Sequence, residues 1–176
     1  DGRRIECVPR GKKSDCVVGD RVRWMATDAA GRAGVIEHVE PRRNLLLRRD
    51  EWKTKSFAAN LDQLLVLVAV APSFSESQLA RALIAAESAG IPARIALNKT
   101  DLPDADLARA RLAPYRAMGV EVVEVALKAA PAAARDALHG ALDGRATLVL
   151  GPSGAGKSTL INLLVPDASA QVGEIS

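Results

Sequence analysis

The chain has 176 residues, enough for one or two domains, and with 48% hydrophobic residues it can bury a substantial core. No apolar run approaches the roughly eighteen residues of a membrane helix, and no charged n-region leads into an apolar h-region, so neither a membrane-spanning protein nor a secreted precursor is expected. The two cysteines, Cys7 and Cys16, are too few for a disulfide framework or a structural zinc site, which suits a reducing cytoplasm.

The chain opens on Asp1 rather than Met, as a fragment would. The net charge of +3 is unevenly spread. Residues 1–55 hold 14 Lys and Arg against 9 Asp and Glu, whereas 56–176 hold 10 against 12. A basic front on a slightly acidic body is the electrostatic footprint of a polyanion partner.

Residues 1–55 read as short strands and turns. Arg4–Val8, Asp20–Met25, Gly34–Val39 and Asn44–Arg48 are the candidate strands, with turns at Val18–Asp20 and Asp28–Gly31. Short strands at this spacing predict a small all-β barrel or sandwich. Two basic clusters decorate it: Arg10, Lys12 and Lys13, then Arg42, Arg43, Arg48 and Arg49 with Lys53 and Lys55. Such side chains hold phosphates without reading sequence. Trp24 and Trp52 are the only tryptophans and read as packing residues, so recognition of RNA backbone and shape is expected rather than base stacking.

The texture changes near Ser56. Gln63–Val70 is continuously apolar, as in a strand buried on both faces of a parallel sheet. Ser75–Gln78 has capping-box spacing, and Leu79, Leu83 and Ala86 share one helical face closed by Gly90. A strand at Ala93–Leu97 follows, then a helix over Asp104–Met118 kinked at Pro114. A strand at Val120–Val125, a helix over Ala132–Leu142 and a strand at Ala146–Leu150 complete the alternation. Alternating strands and helices predict a parallel α/β sheet.

Gly151–Thr159 reads Gly-Pro-Ser-Gly-Ala-Gly-Lys-Ser-Thr, the G-x-x-x-x-G-K-S phosphate loop. A chance match in a chain this long is on the order of one in a hundred, and the flanking strand and helix supply the structural context the motif needs. Glycines let the N–H groups of Gly151, Ser153, Gly154, Ala155 and Gly156 approach phosphate oxygens, and Pro152 shapes the turn. Lys157 supplies a point charge, Ser158 can ligate Mg²⁺, and Thr159 continues into a helix whose N-terminus favours anions.

Asn98-Lys99-Thr100-Asp101 is an N-K-x-D signature after a sheet strand, where α/β sheets bind ligands. The Asp101 carboxylate can accept both the ring N–H and the exocyclic amine of guanine, a pattern that adenine does not present. Asn98 can meet the base or tie this loop to the phosphate loop. The stem of Lys99 can cover the purine face. A further backbone contact to the base is expected at Ala126-Leu127-Lys128, where only Lys128 matches the usual S-A-K pattern.

The guanine motif precedes the phosphate loop, the reverse of the ordinary order, so the domain looks like a circularly permuted GTPase. The chain resembles the RsgA (YjeQ) family of ribosome small-subunit-dependent GTPases. The matching stretches are Arg10–Lys13, Gly19–Val22, Pro41–Asn44, Ala58–Gln63, Asn98–Asp101, Gly151–Leu160 and Val172–Ser176. The resemblance implies an α/β P-loop G domain over 56–176, preceded over 1–55 by an OB-like barrel whose first strand looks cut. It implies a cytoplasmic, monomeric GTP-hydrolysing factor using GTP/GDP and Mg²⁺. Its partners would be the small ribosomal subunit and its rRNA, which stimulate hydrolysis late in subunit maturation.

It also implies a D-x-P-G motif and a zinc domain, whose residues are not among the 176. No residue matches a group that positions the attacking water. Asn60, Asp62 and Gln63 match the family and are expected to cap or to bridge the two domains. His38 and His139 read as ordinary residues. Two other readings stay open: a nucleotide-gated RNA-binding module with little catalysis, and a P-loop ATPase or kinase.

Overall fold

The computed structural model describes residues 4–10, 15–49 and 54–165, with Arg48, Arg49 and Thr54 described as backbone only. Lys12, Lys13, Trp52, Lys53 and residues 172–176 lie outside the described residues. The chain divides into two units, Asp1–Leu61 and Asp62–Ser176.

In the first unit, β1 (Glu6–Pro9), β2 (Val22–Ala26) and β3 (Ala33–Val39) form a sheet in the order β1-β3-β2. β2 pairs antiparallel with β3, with a register shift between Arg23 and Trp24. β4 (Leu45–Arg49) and β5 (Thr54–Ala59) form a second, antiparallel pair. Strand β5 has no alternating signature and is not among the strands expected from sequence. It crosses the 55/56 position where the composition changes, and it belongs to the first unit.

Close backbone approach explains the small residues of β5. Val18 bridges Ala58, Ala59 N–H donates to the Val18 carbonyl at 2.9 Å, and a Cβ on Gly19 would lie 2.0 Å from the Ala59 carbonyl oxygen. Gly19 also sits at φ +91°, where a side chain is strained. Asn60, itself at φ +56°, caps the same region: its Oδ1 accepts from Arg43 N–H at 2.8 Å and its Nδ2 donates to the Gly19 carbonyl at 3.0 Å.

The second unit holds β6 (Gln63–Ala69), α1 (Glu76–Ser88), β7 (Ala93–Asn98), α2 (Ala105–Ala117), β8 (Glu121–Glu124), α3 (Pro131–Leu142), β9 (Thr147–Leu150) and α4 (Lys157–Leu164). The four strands are all parallel, in the order β8-β7-β6-β9. Every residue of β6 is buried, as its unbroken apolar run requires. Alternation sends Leu65, Leu67 and Ala69 to one face, where they meet Ala134 and Leu138 of α3 and Leu160 of α4. Val66 and Val68 take the other face with Phe74 and with Leu79 of α1.

At the opposite end of the sheet, buried Gln63 donates to the Ala141 carbonyl at 2.7 Å and to Thr147 Oγ1 at 2.9 Å, and accepts from Arg94. Asp62 Oδ2 accepts from Ala146 N–H at 2.8 Å. These bonds set the β6–β9 register, Gln63 opposite Thr147, that carries the phosphate loop.

The expected helix boundaries hold to within a few residues. Ser75 caps α1 by accepting from Gln78 N–H at 3.4 Å, and Pro131 opens α3 at a position that needs no N–H donor. As expected, α2 is one helical element with Pro114 inside it. Pro114 lies in the last turn, where it lacks the N–H that would bond the Ala110 carbonyl one turn earlier.

Asp20 is the electrostatic anchor of the first unit. Its side chain is 2% exposed and takes two bonds from Arg42, Nε to Oδ1 at 2.7 Å and Nη2 to Oδ2 at 2.8 Å. The Arg42 guanidinium holds the Asp20 carboxyl below the usual carboxylate range; burial works the other way, and the Val17 N–H adds to the lowering. A carboxyl depressed in the folded state stabilises it above the unfolded pKa of about 3.9, and that contribution is lost as pH falls through the folded value. Acid unfolding followed by tryptophan fluorescence reports on this unit, because Trp24 and Trp52 both lie in it. Asp20→Asn is expected to lower the neutral-pH stability and to flatten the acid limb; an unchanged acid limb would refute the anchor.

Candidate functional site

Because the four strands are parallel, their C-terminal ends emerge on one edge. Ala69 and Asn98 are register partners there, and Leu150 ends opposite Val66. The loops after β6, β7, β8 and β9 therefore open on the same side of the sheet.

The phosphate-loop sequence folds as a strand, a turn and a helix. Gly151 follows β9 and passes so close to β6 that a Cβ there would lie 2.1 Å from the Leu67 carbonyl oxygen. Gly156 caps α4 with φ +105°, and a Cβ there would lie 2.4 Å from Asn98 Nδ2. Both conditions demand glycine. Lys157 opens α4 and folds its ammonium back onto the Gly151 and Pro152 carbonyls at 2.9 and 2.8 Å. The Ser158 hydroxyl has no hydrogen-bond partner among the described residues. The turn and the first turn of α4 together present a concave, donor-rich surface suited to an anion.

Asn98 joins three loops. It is 3% exposed. Its Nδ2 donates to the Ala155 carbonyl of the phosphate loop at 2.8 Å. Its Oδ1 accepts from Lys99 N–H at 2.8 Å and from Leu127 N–H at 3.1 Å. Lys99 takes φ +64°, and its ammonium donates to the Ala71 carbonyl in the loop after β6. Thr100 turns inward, its Oγ1 donating to the Val125 carbonyl at 3.2 Å. Asp101 is exposed and has no hydrogen-bond or ion-pair partner among the described residues. An acceptor-only carboxylate is thus left facing solvent beside a buried, bonded asparagine.

In the third loop, Ala126 is half-buried, Leu127 is buried and Lys128 is exposed. The Leu127 N–H is spent on Asn98, which leaves the neighbouring backbone donors for any ligand. The structure thus brings Asn98–Asp101, Ala126–Lys128 and Gly151–Thr159 together. Of the basic cluster of the first unit, the side chains of Arg10, Arg42 and Arg43 are among the described residues. Arg42, expected as a phosphate contact, is committed to Asp20 and to the Asp15 carbonyl at 2.6 Å. Arg43 is exposed and donates to the Asn60 carbonyl at 2.9 Å; Arg10 is exposed.

A family model describing RsgA GTPases matches residues 39–176. The chain belongs to the RsgA GTPase family. Among relatives, the small ribosomal subunit biogenesis GTPase RsgA of Variovorax paradoxus is 60% identical over 99% of this chain and 54% of its own length. That of Paraburkholderia phytofirmans is 55% identical over 99% and 55%. The chain spans about half the length of the curated RsgA relatives it matches. Among solved structures, YjeQ from Thermotoga maritima superposes with a TM-score of 0.69 at 31% identity, covering 95% of this chain and 59% of that one. YloQ, described as a circularly permuted GTPase, gives 0.60 at 28% identity, covering 92% and 56%. The parallel sheet, with its Asn98 loop preceding its phosphate loop, is the α/β G domain of that family.

Among the described residues no group of three or more His, Cys, Asp or Glu side chains is arranged to hold a metal ion, and no helix is long and apolar enough to cross a membrane.

Asn98→Ala leaves the Ala155 carbonyl and the Leu127 N–H without a side-chain partner in a buried place. The expected cost is about 1–3 kcal/mol of second-unit stability for each group left unsatisfied. Chemical denaturation followed by far-UV circular dichroism measures it, and a loss below ~0.5 kcal/mol would refute the bridging role.

Proposed function

We propose that this chain binds guanine nucleotide at the C-terminal edge of the parallel sheet and hydrolyses GTP to GDP and phosphate in the service of small ribosomal subunit assembly. One observation carries the reading. The buried Asn98 amide joins the loops that would meet the base to the loop that would meet the phosphates. Membership of a family whose relatives are named small ribosomal subunit biogenesis GTPases supports the physiological setting.

In this reading Asp101 accepts the ring N–H and amine of guanine, Lys99 covers the base face, and a backbone N–H of Ala126–Lys128 meets the guanine carbonyl. The loop N–H groups of Gly151–Thr159 and the α4 N-terminus hold the phosphates. Lys157 exchanges its two carbonyl partners for terminal phosphate oxygens and stabilises charge there as the γ-phosphoryl group passes to water. The Ser158 hydroxyl, a hard oxygen donor, would help to hold Mg²⁺. When bound, that ion would supply charge neutralisation at the phosphates. Catalysis is positioning and electrostatic stabilisation, with no covalent intermediate.

The first unit is read as an OB-like barrel that docks on rRNA, raising hydrolysis when the monomeric, cytoplasmic factor meets the subunit. Its phosphate contacts come from Arg10, Lys12, Lys13, Arg43, Arg48 and Arg49, with Arg42 excluded by its bond to Asp20.

Asp101→Asn is expected to weaken GTP binding and to favour xanthosine triphosphate, because the amide donates where the carboxylate accepted. Equilibrium nucleotide titration measures it. Unchanged GTP affinity would sink the guanine assignment, and equal ATP and GTP affinity in the parent would favour a general P-loop ATPase. For the first unit, replacing Arg10, Lys12, Lys13 and Arg43 by Ala should lower the slope of log affinity for small subunits against log salt. The drop expected is about 0.7–0.9 for each phosphate that these side chains neutralise. A slope equal to the parent's would place the interface elsewhere.

A further inference from the structure

We propose that Arg111, on α2, is a positioning residue for guanine binding, acting through the loop after β6 and through Lys99. The inference rests on the guanine-site reading above.

Arg111 spends its whole guanidinium on one short segment. Nε bonds Glu76 Oε1 at 3.0 Å, Nη1 donates to Ser73 Oγ at 2.6 Å, and Nη2 donates to the Phe74 carbonyl at 2.6 Å. The same group lies over the Phe74 ring, 4.2 Å from its centroid. Phe74 is 3% exposed, so the segment is held from above by Arg111 and from below by the core. α2 does not need these bonds to stay on the sheet. Arg109 and Arg116, on the same helix, already bond Glu124 at the end of β8.

The other end of that segment is attached to the guanine motif. Val70 N–H donates to the Asn98 carbonyl at 3.0 Å, and the Lys99 ammonium donates to the Ala71 carbonyl. Lys99 is thus placed at both ends, by its backbone at φ +64° and by its ammonium on Ala71. α2 itself starts a few residues after the motif, with Leu102 N–H on the Lys99 carbonyl at 3.1 Å. The hydrogen bonds close a ring: guanine motif, α2, Arg111, residues 73–76, Ala71 and back to Lys99. In that ring Arg111 reaches from the helix to the loop through a planar fork, which lysine cannot reproduce, and the Tyr115 hydroxyl adds one longer bond to the Glu76 carbonyl at 3.4 Å.

Removing Arg111 releases Ser73 and Phe74, so that the segment carrying the Ala71 carbonyl no longer holds the Lys99 ammonium in one place, and the Lys99 stem must then be ordered by the ligand, at the cost of immobilising a rotamer-rich side chain. Calorimetric titration with GDP and with inorganic pyrophosphate, which engages the phosphate loop alone, separates this from general damage. Arg111→Ala and Arg111→Lys should each raise the GDP Kd about fivefold and leave pyrophosphate binding unchanged. Lys99→Ala should raise the GDP Kd about tenfold, and the double variant Lys99→Ala/Arg111→Ala no further, because the two act as one unit. Additive losses, or equal losses for GDP and pyrophosphate, would overturn the proposal. A loss in Lys99→Ala without one in the Arg111 variants would overturn it alone; unchanged GDP binding in Lys99→Ala would overturn the guanine-site reading as well. If alanine at 111 prevents folding, Ser73→Ala removes one bond of the clamp. It should raise the GDP Kd about twofold with pyrophosphate unchanged, and no effect would count against the ring.

Discussion

A single buried amide organises the second unit. Asn98 holds the phosphate loop with its donor and two backbone N–H groups with its acceptor, and it is almost wholly withdrawn from water. A polar group so placed costs free energy unless every partner arrives. The three loops therefore do not choose their positions independently. Their bonds to Asn98 draw them into one continuous edge on one side of the sheet. The parallel sheet makes it possible by delivering all the loops to the same side, and the bonds of Asp62 and Gln63 at its far end keep β9 in register with β6.

Close packing of backbone does the rest. Gly151 and Gly156 stand where a methyl group would strike the Leu67 carbonyl or the Asn98 amide. These glycines serve the protein's own packing as much as any ligand: the loop must pass β6 and Asn98 before it can face an anion. Lys157 rests meanwhile on two carbonyls of its own loop. Its charge is compensated locally by the dipoles of these two carbonyls.

In the first unit, charge counted along the chain differs from charge available at the surface. Arg42 belongs to a basic cluster in the sequence, yet its guanidinium is bonded on two sides to a buried carboxylate and on a third to the Asp15 carbonyl. An arginine so engaged fixes the 15–20 loop and adds little to an outward field. Arg43, next to it, is exposed while its backbone N–H is bonded by Asn60. Both arginines are thus engaged with the fold, Arg42 through a buried carboxylate and Arg43 through the Asn60 carbonyl, and of the two only Arg43 is exposed.

The sequence by itself determined the layered plan of the second unit, because an unbroken apolar run such as Gln63–Val70 has no stable place except between two covered faces, and helices with capped ends must flank it. It also determined the chemistry of the two motifs and their inverted order, since residue type and spacing carry both. Tertiary structure decided what depends on distance between remote segments. It paired Thr54–Ala59 as a strand, which no periodicity marks because its small residues answer to Gly19. It gave Asn60, Asp62 and Gln63 partners up to 84 residues away, and it turned Arg111 toward residues 73–76. Hydrogen bonds between segments so far apart leave no local period, so a chain read one window at a time cannot contain them.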